Sequence, residues 1–221
     1  MASYQPTSRR PIADAFRLTA NAATRWCVRH RVHPDTISYA SVVAALAAAI
    51  CFWQSTRQPW LLLLAPLFGY ARLWCNMLDG MVALASGQAS WRGEILNDLP
   101  DRVSDVVIFV GAAHSGWMHP LIGYWAAIFA LLTAYVGTLG QAVGVHRDFS
   151  GLMSKPWRMV MLHIGAWILF ALVVSNSQRV AAAGLTPLDW ACVLVIIGCV
   201  ETIVRRLRNI FAALRAKAAR G

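Results

Sequence analysis

Residues 76 to 105, NMLDGMVALASGQASWRGEILNDLPDRVSD, hold five of the chain's ten acidic residues: Asp79, Glu94, Asp98, Asp101 and Asp105. Long uncharged apolar runs border them on both sides. On a helix, residues three and four apart share a face. Asn76, Asp79 and Ala83 therefore line one side of a first helix, with Arg72 one turn deeper. Asn97, Asp101 and Asp105 line one side of a second, with Asp98 beside them. Both helices open onto the same short connection, so their polar faces can meet. Carboxylates within a membrane are costly unless they pair, bind a cation or face water. A divalent cation is the natural counter-charge, and oxygen ligands without His or Cys favour Mg2+, Mn2+ or Ca2+ over Zn2+. The alternative is a set of interhelical salt bridges, with Arg72 and Arg102 offsetting part of the charge. Buried ionic groups are weak stabilisers, which favours the site. Gly80, Ala83 and Gly93 let a ligand approach the backbone, although small residues also mediate ordinary helix contact in membranes.

The elements that must position these groups follow from composition. The 221 residues are 58% hydrophobic and only 14% charged, the profile of an all-α integral membrane protein with several crossings. Six transmembrane helices are expected, over 36–53, 60–85, 95–114, 120–142, 157–177 and 187–204, each able to span a hydrocarbon core of about 30 Å. The uncharged run from Val106 to His146 is too long for one span, and HSGWMHP divides it at Gly116 and Pro120. Asp35 or Thr36 is available to cap the first span behind Pro34. Residues 11 to 30 place Ile12, Phe16, Ala20, Ala23 and Cys27 near one face and Arg10, Arg17, Arg25 and Arg29 on the other. That pattern suits either an amphipathic interfacial helix or a solvated basic tail. Three segments result: 1–34 with the interfacial helix, 35–205 as the six-helix transmembrane domain, and a basic tail over 206–221.

Six Arg lie in the first 31 residues and six Lys or Arg from Arg205 onward, whereas only Arg57 and Arg179 fall in the connections on the opposite side. The positive-inside rule then puts both termini in the cytoplasm, with a bacterial inner membrane as the expected location. Topology and attraction to anionic membrane lipids account for the net charge of +10, and no nucleic-acid partner is needed. No cleavable signal peptide is visible in the Arg-rich start. The five Cys lack C-x-x-C spacing and are expected to be reduced packing residues. Trp26, Trp53, Trp60, Trp117, Trp157 and Trp190 fall near span ends, as interfacial anchors do. His163 and Glu201 are intramembrane polar groups that either face a cavity or pair within the bundle.

The ordered pattern resembles the CDP-alcohol phosphotransferase family, whose signature is D-x2-D-G-x2-A-R-x8-G-x3-D-x3-D. Asn76, Asp79, Gly80, Ala83, Leu84, Gly93, Asn97 and Asp101 fall at its eight positions with every spacing kept and five identities retained. PDTIS at 34–38 is similar to the family's entry to its first span. The resemblance implies transfer of a phosphatidyl group from CDP-diacylglycerol to a small alcohol or polyol phosphate with release of CMP. It further implies a homodimer and Mg2+ or Mn2+, as one or two ions. In the family four Asp hold two divalent cations around the diphosphate, and the last is also the general base. Carried over, Asn76, Asp79, Asn97 and Asp101 hold metal, Asp79, Gly80, Ala83 and Gly93 bind CDP, and Asp101 is catalytic.

The departures at Asn76, Leu84 and Asn97 reduce the matched site from four formal charges to two, since an amide oxygen can coordinate but brings no charge. Asp98 could restore the carboxylate lost at Asn97, about 100° away around the helix. One cation could replace two, or the chain could bind CDP-lipid or a cation without turnover. Arg147, Lys155 and Arg158, in the connection before the fifth span, either clamp an acceptor phosphate or satisfy the positive-inside rule. An ion-conducting transporter is a further reading, disfavoured because the acids crowd one corner and no inverted repeat is evident.

Overall fold

The computed structural model describes residues 13–88, 91–176 and 181–219. They form seven helices: α1 (Ala13–Arg29), α2 (Pro34–Gln54), α3 (Leu61–Ala85), α4 (Trp91–Ala113), α5 (Pro120–Ala142), α6 (Lys155–Val174) and α7 (Pro187–Ala218). Side chains before Thr19 and over 91–97 lie outside the described set, and Ile12, Phe16, Gly93 and Asn97 fall there.

Proline sets several starts. Pro34, Pro120, Pro156 and Pro187 occupy first-turn positions, where a missing N–H costs nothing and the fixed φ suits the helix. The cap of α2 is His33, whose Nδ1 accepts from the Asp35 N–H at 3.2 Å. Neither Asp35 nor Thr36 caps, because Pro34 already begins the helix. α7 opens with a reciprocal cap in which Thr186 and Asp189 exchange hydrogen bonds. The buried Asp189 also accepts from the His119 N–H at 2.8 Å, tying the start of α5 to the start of α7.

Five helices, α2, α3, α5, α6 and α7, are long and apolar enough to cross a membrane. α4 carries Arg92, Glu94, Asp98, Asp101, Arg102 and Asp105, so its composition alone does not mark a span. Its described buried positions explain the discrepancy: Asp101, Ser104, Asp105, Ile108, Phe109 and Ala112 are all buried. α4 packs against α2 and α5, and its Asp101 and Asp105 are turned inward. Large apolar side chains instead cover the outside of the bundle, including Val43, Leu46, Ile50, Leu121, Leu194 and Ile197. An apolar exterior around a charged interior is what a lipid solvent demands.

The main core joins Ala45, Ala48 and Phe52 of α2 with Ile108, Phe109 and Ala112 of α4 and Leu162, Ala166 and Leu169 of α6. Small residues allow the α2–α4 approach: a Cβ on Gly111 would lie 2.6 Å from the Ala49 Cα and carbonyl oxygen. Backbone atoms cannot yield as a flexible side chain can. Gly111→Val is expected to destabilise the bundle by about 1–3 kcal/mol, the usual cost of overpacking, read as a lowered unfolding midpoint in detergent. α1 lays Cys27 on a smaller cluster with Ile37, Leu78 and Val82, so its buried stripe docks on α3. All five cysteines are free and four are buried. Of the six Trp near span ends, Trp117 packs against the core, while the other five are exposed. The basic segment after residue 205 continues α7 as far as Ala218.

Candidate functional site

The two polar faces meet where α3 ends and α4 begins. Asp101 is 4% exposed and held from three helices. Its Oδ1 accepts from the Arg72 guanidinium and from the Asn76 amide, both on α3. Its Oδ2 pairs with the Lys155 ammonium at the start of α6 and, at 3.3 Å, with Arg102. Arg72 also donates to the Asp101 main-chain carbonyl at 2.8 Å. Asp105, one turn further along α4, pairs with Arg72 at 2.7 Å and with Arg158 at 2.8 Å. Arg72, Arg158 and Asp105 are each 2% exposed or less.

α2 completes the far side with two hydroxyls. Ser38 donates to Asp79 Oδ2 at 2.6 Å and Ser41 donates to the Asn76 carbonyl oxygen at 2.7 Å. Asp79 Oδ1 accepts from the Gly80 N–H at 2.6 Å. Because Ser41 occupies the Asn76 oxygen, the Asn76 nitrogen is the atom presented to Asp101. Asn76 and Lys155 thus both stand against Asp101.

A cavity of about 400 Å³ opens next to this cluster. Asp98, Asp101, Arg102, Arg147, Lys155, Arg158 and Arg206 line it, with Ser154 and Phe149. Asp98 sits at its edge, paired with Arg102 at 2.8 Å and Arg147 at 2.9 Å. Arg206 is held by the Thr133 and Ser150 carbonyl oxygens at 2.6 and 2.9 Å. The loop between α5 and α6 is fixed in turn by Asp148, which accepts from the Ser150 N–H and from Asn209. Burial pushes the Asp148 carboxyl up, but those hydrogen bonds outweigh it and leave its pKa below the usual range.

Of the residues singled out by sequence, Asn76, Asp101 and Lys155 come together, Arg158 holds Asp105 one turn further along, Arg147 holds Asp98, and Asp79 accepts from Ser38 and from the Gly80 N–H. Ala83 is half-buried on α3. The surroundings of Gly93 and Asn97 are outside the described side chains. His163 is fully buried edge-on to Tyr70, against Gly69, while Glu201 accepts from Arg205 and the Leu152 N–H. Sequence reading passes over Ser38, Ser41 and Arg206. The first two are polar residues three apart on an otherwise apolar helix, a signal that is present. Arg206 is hidden among the basic residues that set topology.

The donor set can be tested against a two-cation centre. Among the described residues no three His, Cys, Asp or Glu side chains gather as a metal site. Three carboxylates, Asp98, Asp101 and Asp105, are paired with five cationic side chains, Arg72, Arg102, Arg147, Lys155 and Arg158. Both oxygens of Asp101 carry cations, and Asn76 offers it a donor. These residues do not fit two divalent ions.

No family model matches the chain. It is similar to archaetidylinositol phosphate synthase of Aeropyrum pernix, 30% identical over 187 residues covering 84% of this chain and 87% of that one. It is also similar to inner membrane protein YnbA of Escherichia coli, 27% identical over 156 residues covering 71% and 76%. Among solved structures, phosphatidylinositol phosphate synthase of Mycobacterium tuberculosis with CDP-DAG bound superposes with a TM-score of 0.69 at 22% identity, over 87% of this chain and 93% of that one. A second structure of that enzyme, in complex with manganese and citrate, gives the same score. A helical membrane bundle with a buried acidic centre is the class that fold and site define. Within it, the chain belongs to the CDP-alcohol phosphotransferase family of enzymes, also called CDP-alcohol phosphatidyltransferases.

Proposed function

We propose that this protein transfers the phosphatidyl group of CDP-diacylglycerol to a hydroxyl of a phosphorylated polyol, releasing CMP. The observation that carries the reading is the placement of Asp101 on the wall of a cavity whose other charged lining is mainly cationic. The acceptor oxygen attacks the phosphorus nearest the diacylglycerol. Its proton passes to Asp101, and the bond from that phosphorus to the CMP oxygen breaks, so CMP leaves as a phosphate monoester. A base in hydrogen-bond reach of the attacking hydroxyl contributes roughly 10²–10⁴ in rate. Lys155 and the Asn76 amide fix the direction of that base, and the fixed cations nearby stabilise charge gathering on the leaving phosphate. Asp79 and Gly80, on the α2 side, are assigned to the cytidine diphosphate, with Ser38 orienting the Asp79 carboxylate.

Arg147, Lys155, Arg158 and Arg206 are the acceptor clamp in this reading, because guanidinium groups match phosphate oxygens in pairs. α4 is taken as the remaining crossing, with Leu99 and Val103 exposed on its outer side and Asp101 and Asp105 buried. Both termini then share the cytoplasmic face of the inner membrane, with α1 lying at the interface, and a homodimer is the expected assembly.

The test is CMP release by purified protein given CDP-diacylglycerol and matched pairs of polyols and polyol phosphates. Phosphorylated acceptors are expected to react at least about ten times faster, the equivalent of one lost charge-assisted hydrogen bond in the unphosphorylated case. Arg206→Ala should raise the acceptor KM by about tenfold for the same reason, with a smaller effect on kcat. Full rate on the unphosphorylated polyol would refute the clamp, and binding without CMP release would refute the transfer.

A further inference from the structure

We infer that Arg72 is a built-in cation standing where a divalent ion would otherwise bridge the acidic centre, so that this chain binds at most one divalent ion. The inference rests on the transfer reading for the identity of the site. Arg72 is fully buried within α3. One of its nitrogens, Nη2, reaches both Asp101 Oδ1 and Asp105 Oδ1, joining two carboxylates on successive turns of α4 as a hard ion would. A guanidinium in a membrane span is tolerated when it sits between such groups.

Asn76 belongs to the same arrangement. Its amide nitrogen donates to the Asp101 oxygen that Arg72 also holds, while Ser41 fixes the amide from behind. An aspartate in place of Asn76 would set a second carboxylate against Asp101 and require a further cation. The amide removes that need. Arg72 and Asn76 together therefore satisfy Asp101 without a metal, and a fixed positive charge at this distance repels a divalent ion from the same position. Arg72 Nε and Nη1 make no hydrogen bond within the described residues, so the group keeps donor capacity beyond the two carboxylates.

Mn2+ titration of the purified full chain, followed by electron paramagnetic resonance, counts the ions directly. The wild-type protein and Asn76→Asp, both with Arg72 in place, should bind no more than one equivalent. Arg72→Gln combined with Asn76→Asp should gain one equivalent over Asn76→Asp alone. Two equivalents on either protein that retains Arg72 would overturn the inference, as would no gain in the double variant eluting as a folded, monodisperse species. If the double variant does not fold, the first two titrations still decide. Ion counting needs no turnover: a protein releasing no CMP yet binding at most one Mn2+ would refute the transfer reading and sustain this one.

Discussion

Asp101→Asn is expected to lower kcat for CMP release by about 10²–10⁴, the contribution of a positioned general base, while binding of CDP-diacylglycerol changes far less. The substitution keeps the size of the side chain and an oxygen for Arg72. It removes the proton acceptor and, with the oxygen kept on Arg72 and Asn76, turns an amide nitrogen toward Lys155 and Arg102, both of which are donors. The loss belongs to the chemical step, so single-turnover CMP release should fall as much as steady-state turnover. If the Asp101→Asn variant binds CDP-lipid normally and still turns over at nearly the wild-type rate, Asp101 is removed from the mechanism. The attacking hydroxyl would then need another base in the cavity.

The second large effect is on stability. Arg158→Met strands half of a buried pair, because Arg158 and Asp105 are 2.8 Å apart and both almost fully enclosed. Removing one partner of such a pair typically costs about 3–5 kcal/mol, chiefly the desolvation of the charge left behind. Arg72 remains on Asp105, which places the expectation at the lower end of that range. Thermal unfolding in detergent should show the drop, and adding Asp105→Asn should recover a substantial part of it. By contrast, Arg205 and Glu201 pair at 52% and 31% exposure. Breaking that pair should shift stability by no more than about 1 kcal/mol. Equal losses for the two pairs would show that the interior of this bundle is as wet as its surface.

Helix existence is legible in the sequence because apolar runs of about 20 residues are set by bilayer thickness, a constraint outside the protein. The expected segments correspond to α2 through α7 within about four residues, except that α7 runs on to Ala218, well past the expected end at 204. α4 is the instructive one. Its six charges defeat a hydropathy criterion, whereas their four-residue spacing, read as a helical face, marks the segment as a helix. Spacing likewise puts Asn76 with Asp79 and Asp101 with Asp105 on one face each, since residues three and four apart must share a side once the helix exists.

What spacing does not reveal is who neutralises whom. Arg72 reads from sequence as a partial offset one turn below the acids. Only packing shows that it bridges Asp101 and Asp105, and that Asn76 donates to an oxygen it was expected to help charge with metal. Lys155 and Arg158 read as loop cations near a phosphate, yet the start of α6 delivers them onto Asp101 and Asp105. Periodicity reports which face a residue occupies, while charge pairing depends on which helix arrives opposite and at what depth. Local geometry and bilayer thickness suffice to specify a helical membrane protein with acids on two helical faces, and both can be read along the chain. That fixed guanidinium and ammonium groups fill the acidic centre is a property of the assembled bundle, because the balance is set across α2, α3, α4 and α6 by partners 25 to 54 residues apart in the chain.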